Sequence, residues 1–131
     1  MSTPELPVHH YEFVEDASCP LSDIRKWLRA CLARQRVDVV ADVALLVTEL
    51  VTNAYEHAGG VLGLRLSFPR RDVTRVEVDD ASDDTPPSTL PIPSLNNSRG
   101  RGLPLVEALS TSWGVTRWAR HKTIWAEVAL S

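Results

Sequence analysis

An apolar repeat with a period of about 3.6 residues runs through the middle of the sequence and defines its longest element. Its members are Val39, Val43, Leu46, Val47, Leu50, Val51, Ala54 and Ala58. In a helix this spacing places all of these side chains on one face. Gly59 and Gly60 then end the helix, because glycine readily adopts the left-handed conformation found after helix ends. We therefore predict an amphipathic helix from about Val39 to His57, with one buried face.

Shorter patterns predict the other elements. Ser22-Asp23 offers an N-cap for a helix from about Ile24 to Gln35, in which apolar residues recur at i, i+3 and i+4. Runs that alternate apolar and polar residues predict strands at 10–14, 61–68, 74–79, 113–118 and 123–128, and a third, short helix is predicted at 103–110. This order favours an α+β fold: a two-layer α/β sandwich with helices on one face of a mostly antiparallel mixed sheet.

Size and charge narrow the class of protein. With 131 residues and 44% hydrophobic content, the chain is expected to form a single domain over residues 1–131. A formal net charge of −3, with basic residues mostly scattered, argues against a nucleic-acid groove. No apolar stretch approaches the ~20 residues that span a bilayer, and the N-terminus lacks a secretory pattern. We expect a cytoplasmic protein that binds neither nucleic acid nor membrane.

Polar residues along one flank of the longest helix form the first candidate site. Glu49, Asn53 and His57 lie at i, i+4 and i+8, with Glu56 beside them. A carboxylate can orient or deprotonate a hydroxyl or a water, and an amide oxygen one turn away is a suitable ligand for Mg²⁺. Glu49 and Asn53 can therefore share one phosphate and metal site. The alternative is an ordinary solvated face, which this helix taken alone does not exclude.

The end of the strand at 74–79 supplies the second candidate. Val76 and Val78 share one face of that strand, and Asp80 returns to the same face because side chains alternate. A buried carboxylate needs a donor, and adenine offers an exocyclic amine where guanine has a carbonyl. The alternative is a turn aspartate that caps the start of the following loop. Asp79, its neighbour, is interpreted only as such a turn residue.

A glycine pair before the third helix is the third candidate. Gly100 and Gly102 let the backbone approach a phosphate, and a helix that begins there offers free N–H groups and the positive end of its dipole. Pro104 suits a first helical turn. The alternative is an ordinary junction between a loop and a helix. The glycine patterns of the P-loop and of the dinucleotide fold are both absent from the sequence.

Taken in order, three segments resemble one family signature. They are Glu49-Leu50-Val51-Thr52-Asn53-Ala54-Tyr55-Glu56-His57-Ala58, Val78-Asp79-Asp80-Ala81-Ser82 and Gly100-Arg101-Gly102-Leu103-Pro104-Leu105-Val106. The signature resembles that of the histidine-kinase-like ATPases, which have the Bergerat ATP-binding fold and are also called GHKL proteins. Among them, the chain is similar to small bacterial anti-sigma-factor serine-protein kinases, particularly the stand-alone actinobacterial type. The resemblance extends from about Ser22 to the C-terminus.

This resemblance implies a role for each segment. Glu49 would be the general base, Asn53 would bind Mg²⁺ and Asp80 would bind the adenine of ATP. Further nucleotide contacts are implied for Ser82, Arg99, Gly100, Arg101, Gly102 and Leu103, under an ATP lid formed by residues 81–99. Thr123 resembles the family threonine that helps to hold the base through Asp80.

Three function hypotheses remain open from the sequence. The first is a kinase that phosphorylates a serine of an anti-sigma-factor antagonist, as the presence of Glu49 favours. The second is an ATP-dependent binding module that sequesters a sigma factor or an antagonist. The third is a scaffold whose nucleotide site has decayed, because Asp80-Ala81-Ser82 stands where many family members have Asp-x-Gly-x-Gly. The resemblance also implies a possible homodimer, because this family often forms dimers.

Overall fold

The computed structural model describes residues 7–14, 19–57, 59–81 and 102–130. Its elements, in chain order, are β1 (Val8–Tyr11), α1 (Leu21–Cys31), α2 (Val37–His57), β2 (Val61–Arg70), β3 (Val73–Asp80), α3 (Gly102–Leu109), β4 (Ser112–Arg117) and β5 (Lys122–Ala129). Each predicted helix and strand corresponds to one of these elements. The sequence patterns therefore identified the type and order of the elements correctly.

The strands form one five-stranded sheet in the order β1-β2-β3-β5-β4. All four pairings between neighbouring strands are antiparallel. β3 lies at the centre, between β2 and β5, and β1 and β4 form the edges. The predicted α+β fold is confirmed, and the described sheet is antiparallel throughout where a mixed sheet was expected.

Alternation of side chains gives the sheet two different faces. In β3 the residues buried against the helices are Thr74, Val76, Val78 and Asp80, and the partly exposed residues on the other side are Arg75, Glu77 and Asp79. We call the first side the helix face and the second the open face. One hydrophobic core joins the helix face to α1, α2 and α3, and the apolar repeat of α2 is buried as predicted from Val39 to Ala54.

The three helices lie side by side over the helix face. α2 contacts both α1 and α3, and it touches β2, β3 and β5 of the sheet. α1 contacts β1, whereas α3 contacts β4. α2 is therefore the central helix, with one flank toward α1 and the other toward α3.

Backbone hydrogen bonds hold the end of α2 beside the end of β3. Gly59 and Gly60 follow α2 with φ angles of 79° and 123°, which glycine adopts at little cost. The N–H of Gly60 donates to the carbonyl oxygen of Ala54, and the N–H of Ala81 donates to that of Gly60, both at 3.0 Å. The last turn of α2 and the last residues of β3 are thus fixed together.

α1 differs from its prediction at both ends. Pro20 occupies the N-cap position without a side-chain capping bond, so Ser22 lies in the first turn and does not cap the helix. A proline is tolerated there because the first backbone N–H groups of a helix have no partner within it. The helix ends at Cys31 and not near Gln35, since residues 32–34 form a turn in which the N–H of Gln35 donates to the carbonyl oxygen of Leu32.

The hairpin of β2 and β3 is longer than the sequence predicted. It turns only at Arg71 and Asp72, so β2 extends to Arg70, beyond its predicted end at residue 68. The pairing is irregular between Ser67 and Arg70, around Pro69, which lacks the N–H that a regular ladder requires. β1 also differs, because it covers Val8–Tyr11 instead of 10–14.

Candidate functional site

The second half of α2, the end of β3 and the start of α3 lie around one end of the sandwich. The backbone bonds at Gly60 join the first two. α3 contacts α2 and β4, and only residues 110 and 111 separate α3 from β4. The N–H of Thr111 donates to the carbonyl oxygen of Glu127, so the C-terminal end of α3 lies at the start of β4, and Val106 of α3 packs in the core. Because α3 thus lies over the sheet, we infer that its N-terminus points toward Arg117, the last residue of β4. We call this end of the sheet, with Asp80, Arg117 and Lys122, the site end.

Glu49 and Asn53 lie on the flank of α2 that faces α3. Tyr55 lies on the opposite flank, near Cys19 just before α1, and burial first and then Cys19 raise the pKa of Tyr55. Asn53 is two residues from Tyr55, a rotation of about 200° around the helix, and Glu49 is one turn before Asn53. Both side chains are half-buried. The acid and the amide therefore share one flank of α2, in agreement with their i and i+4 spacing, and this flank is the one opposite Tyr55.

Asp80 points to the helix face, in agreement with its strand parity. The residue is 2% exposed, and it pairs in register with Lys122 of β5. The Lys122 Nζ atom lies 3.1 Å from Asp80 Oδ2. A carboxylate buried without a compensating charge would cost several kcal/mol, and this ion pair supplies such a charge.

Sequence reasoning did not single out Lys122, although a signal for it was present. Lys122 has the same strand parity as Ile124 and Ala126, whose side chains are buried on the helix face. A charged residue that continues an inward-facing apolar series has to find a buried partner. Parity could therefore have assigned Lys122 to the site.

Thr123 lies on the open face, away from Asp80. Its hydroxyl donates to Asp79 Oδ1 at 2.5 Å and accepts a hydrogen bond from Trp118 Nε1 at 3.0 Å. Consecutive residues of a strand point to opposite faces, so Thr123 cannot share a face with Lys122. The prediction that Thr123 holds the base through Asp80 is wrong, and Lys122 occupies the position opposite Asp80.

Asp79 belongs to a hydrogen-bonded network on the open face. Arg65 donates from Nη2 to Asp79 Oδ1 at 3.1 Å, with a second bond from Nη1 to Oδ2. Burial alone would raise the pKa of Asp79, but the bonds from Arg65 and Thr123 outweigh burial and hold that pKa below its usual value. Asp79 therefore stabilises the sheet, and its interpretation as a turn residue is wrong.

Glu127 makes further acid–base contacts on the open face, besides those of Glu77 with Arg65 and Arg75. It accepts hydrogen bonds from Arg70 Nη2 and Arg75 Nη1, each at 3.1 Å. The Arg75 guanidinium also lies over the ring of Trp125, 4.2 Å from the ring centroid. The acids of the open face are thus engaged on that face and do not serve the cations on the helix face.

The helix face carries a row of charged residues at the site end. Arg117 of β4 pairs in register with Lys122, which in turn pairs with Asp80. The Nη1 atom of Arg117 is buried and has no hydrogen-bond partner in the part of the chain that the structure describes. The row thus contains a buried donor that lacks an acceptor and a buried acid that accepts hydrogen bonds. A ligand with both negative charge and a hydrogen-bond donor, such as a nucleotide, would bind to both groups.

Several predicted site residues are not described. Ser82, Arg99, Gly100 and Arg101 lie outside the described residues, as does the predicted lid beyond Ala81. Gly102 begins α3, where the sequence predicted a helix start, and the exposed Pro104 lies in its first turn. The side chain of Leu103 also lies outside the description, so its predicted nucleotide contact stays a prediction.

Within the described ranges, no group of three or more His, Cys, Asp and Glu side chains is arranged to hold a metal ion. The predicted Mg²⁺ ligand, Asn53, would act with the phosphates of a nucleotide, which commonly supply ligands to Mg²⁺ together with one or two protein groups and water.

Among residues 7–14, 19–57, 59–81 and 102–130, no helix is both long and apolar enough to cross a membrane.

Comparison with known families agrees with this geometry. The histidine kinase-like ATPase domain family matches residues 16–127, which include α1, α2, α3 and four of the strands in whole or in large part. The chain therefore belongs to the histidine kinase-like ATPase family, and its domain is of an ATP-binding type. A search among curated proteins finds no match to the chain.

Proposed function

We propose that this histidine kinase-like ATPase domain binds Mg²⁺-ATP at the site end and transfers the γ-phosphoryl group to a serine of a partner protein. The observation that carries the proposal is the buried Asp80 carboxylate, which lies on the helix face beside the last turn of α2. The flank of α2 with Glu49 and Asn53 faces the same region. A base-binding acid, a metal ligand and a general base are thus gathered around one end of the domain.

Asp80 supports recognition of adenine over guanine. An ionised carboxylate only accepts hydrogen bonds, and adenine presents an amine where guanine presents a carbonyl oxygen. Lys122 contacts one carboxylate oxygen, Oδ2, and so holds the acid in a fixed orientation. A fixed acceptor discriminates better than a mobile one, because guanine would place its carbonyl oxygen against a carboxylate oxygen that cannot turn away.

Glu49 and Asn53 support phosphoryl transfer. In the proposed step, Glu49 accepts the proton of the serine hydroxyl, whose oxygen forms a bond to the γ-phosphorus of ATP. The bond between that phosphorus and the β–γ bridging oxygen breaks, and ADP leaves with the electron pair. The amide oxygen of Asn53 would hold the Mg²⁺ that neutralises charge on the phosphates.

The partner is inferred from the subgroup that the sequence resembles. We propose an anti-sigma-factor antagonist as the phosphorylated protein, with a sigma factor as a further binding partner. The proposed setting is the cytoplasm, and a homodimer is the proposed assembly. Retention of an acid at position 49 supports catalysis over binding alone, because a purely structural ATP site has no need of a general base.

One observation favours a second candidate function. The ion pair with Lys122 gives Asp80 a partner within the chain, so the site end has an internal means of compensating its buried acid. A protein of this kind can act as a binding module without phosphoryl transfer, or as a scaffold without nucleotide. The two candidates differ in what they do with ATP.

Calorimetric titration with ATP and GTP, with and without Mg²⁺, tests the nucleotide site. We expect tighter binding of ATP, a loss of ATP affinity in Asp80→Asn and a loss of the Mg²⁺-dependent part in Asn53→Ala. Asp72→Asn, the same change in the exposed turn of the hairpin, is the matched control and should bind ATP normally. Equal affinity for both nucleotides would contradict the role of Asp80.

Transfer of labelled phosphate separates the candidate functions. The substrate would be a serine-bearing antagonist that co-purifies with the protein from its native cell. Phosphorylation of a serine in that protein supports the kinase. Binding of ATP without transfer supports the binding module, and failure to bind ATP supports the scaffold.

A further inference from the structure

We propose that Arg117 is a nucleotide-binding residue that donates hydrogen bonds to phosphate oxygens of the bound nucleotide. The proposal rests on the nucleotide site at the site end and adds to it a residue on β4, outside the three segments that resemble the family signature. Its starting point is the buried Nη1 atom of Arg117, which lacks a hydrogen-bond partner among the described residues.

The position of Arg117 in β4 directs it to the helix face. Trp113 and Val115, which share its parity, pack against the core. Its register partner is Lys122, which is bonded to Asp80 on that same face. Arg117 therefore stands two strands away from the proposed adenine contact, on the same side of the sheet.

The orphaned nitrogen requires an explanation because its cost is high. A guanidinium remains charged under all ordinary conditions, so it cannot relieve burial by losing a proton. Leaving a buried donor without an acceptor costs about 1–3 kcal/mol, and more for a charged group. A bound anion would remove this cost, and its binding would be favoured by the same amount.

The acidic residues near Arg117 form their ion pairs with other cations. Asp80 is bonded to Lys122, and that lysine pairs in register with Arg117, so the row holds two cations and one carboxylate. Asp79 and Glu127 lie on the open face, bonded to arginines of that face. Among the described residues, the charged row on the helix face thus carries a net charge of about +1, counted from one acid and two bases.

The start of α3 favours a phosphate as the missing anion. The C-terminal end of α3 lies at the start of β4 and Val106 packs in the core, from which we infer that the N-terminus of α3 points toward Arg117. Free N–H groups and the positive end of the dipole favour negative charge at that terminus. The guanidinium fork matches two phosphate oxygens at once, which a lysine cannot do. Two independent cationic features thus converge on one region beside the proposed base site.

Nucleotide titration of an Arg117→Met variant tests the proposal without reference to catalysis. Calorimetry would compare ATP, ADP, AMP and adenosine in the presence of Mg²⁺. We expect ATP and ADP affinity to fall by about 10-fold to 100-fold, the size expected for a charge-assisted hydrogen bond, with adenosine affinity unchanged. Arg120→Met, an exposed arginine between β4 and β5, is the matched control and should bind all four ligands as the unmodified protein does.

Two further variants keep the test decisive. Arg117→Lys keeps the positive charge but cannot contact two phosphate oxygens at once. Its affinity for ATP should lie between those of the unmodified protein and Arg117→Met. Asp80→Asn should weaken adenosine as well as ATP, because it acts on the base. The thermal midpoint of Arg117→Met without nucleotide should equal or exceed that of the unmodified protein, since an orphaned charge has been removed from the interior.

The outcomes distinguish this proposal from the nucleotide site on which it rests. If the unmodified protein binds ATP and Asp80→Asn weakens it while Arg117→Met does not, the nucleotide site stands and the role of Arg117 is refuted. If Arg117→Met weakens adenosine as much as ATP, the residue acts on the base or the fold and the phosphate assignment is refuted. If the unmodified protein binds no nucleotide, the proposed function fails and this inference fails with it.

Discussion

The ion pair between Asp80 and Lys122 makes a quantitative prediction about stability. The separation of 3.1 Å between Nζ and Oδ2 corresponds to an attraction of about 5 kcal/mol at an effective dielectric constant of about 20. Desolvation of both groups offsets much of this attraction, but removal of Lys122 takes away a cation that compensates the buried carboxylate. We therefore expect Lys122→Met to lower the free energy of unfolding by about 3 kcal/mol.

A double-mutant cycle separates this effect from a simple loss of packing. Urea unfolding followed by tryptophan fluorescence would be measured for Lys122→Met, Asp80→Asn and the double variant. Because an asparagine needs no cation, the double variant should be more stable than the sum of the single changes predicts, with a coupling energy of about 1–3 kcal/mol. Lys26→Met, the same change on the exposed side of α1, should stay within about 0.5 kcal/mol of the unmodified protein.

Two results would refute the reasoning. If Lys122→Met unfolds with the same free energy as the Lys26→Met control, then Lys122 does not compensate a buried charge. If the single changes add without coupling, Asp80 and Lys122 stabilise the fold independently of each other. In either case the buried carboxylate would need another source of stabilisation.

Three more predictions concern Glu49 on α2 and the pair Thr123 and Asp79 on the open face of the sheet. Glu49→Ala should slow phosphoryl transfer by about 10²–10⁴-fold in single-turnover assays while leaving ATP affinity nearly unchanged; loss of both would place Glu49 in the metal site or the fold. Thr123→Val should lower the unfolding free energy by about 1–2 kcal/mol without changing ATP affinity, and weaker ATP binding would contradict its place on the open face. The lowered pKa of Asp79 means that its stabilising effect is present above its unfolded pKa of about 3.9 and is lost as pH falls through the folded value. The stability difference between the unmodified protein and Asp79→Asn should therefore shrink as urea unfolding is repeated from pH 5 down to pH 2, and a constant difference would contradict it.

The helices and strands could be predicted because their signals are repeated. The period of α2 recurs over several turns, and the alternation of β3 and β5 places whole sets of apolar residues on the helix face. Element ends depend on single residues and were less predictable. Pro20 holds the N-cap position of α1 although Ser22 and Asp23 are better capping residues, because the backbone carbonyl of Pro20 accepts the first helical bond in their place.

The candidate site was predictable where a residue continued a regular pattern. Asp80 was placed on the helix face by counting from Val78, and the structure agrees. In β5, the prediction for Thr123 came from the resemblance to a family threonine and not from strand parity. Applying parity there would have placed Thr123 on the open face and Lys122 on the helix face, since a shift of one residue exchanges the two faces of a strand.

Three neighbouring strands change from apolar to charged side chains at the same row of the helix face. Val78, Ile124 and Val115 stand side by side in one row, and Asp80, Lys122 and Arg117 stand in the next. The rim of a core usually becomes polar because it meets water, but Asp80 is 2% exposed and the Nη1 atom of Arg117 is buried. Apolar residues of similar size would be at least as stable in such positions, so stability alone does not account for the row. One acid followed by two bases instead suits a ligand with a hydrogen-bond donor at one end and negative charge at the other, and an adenine nucleotide has both.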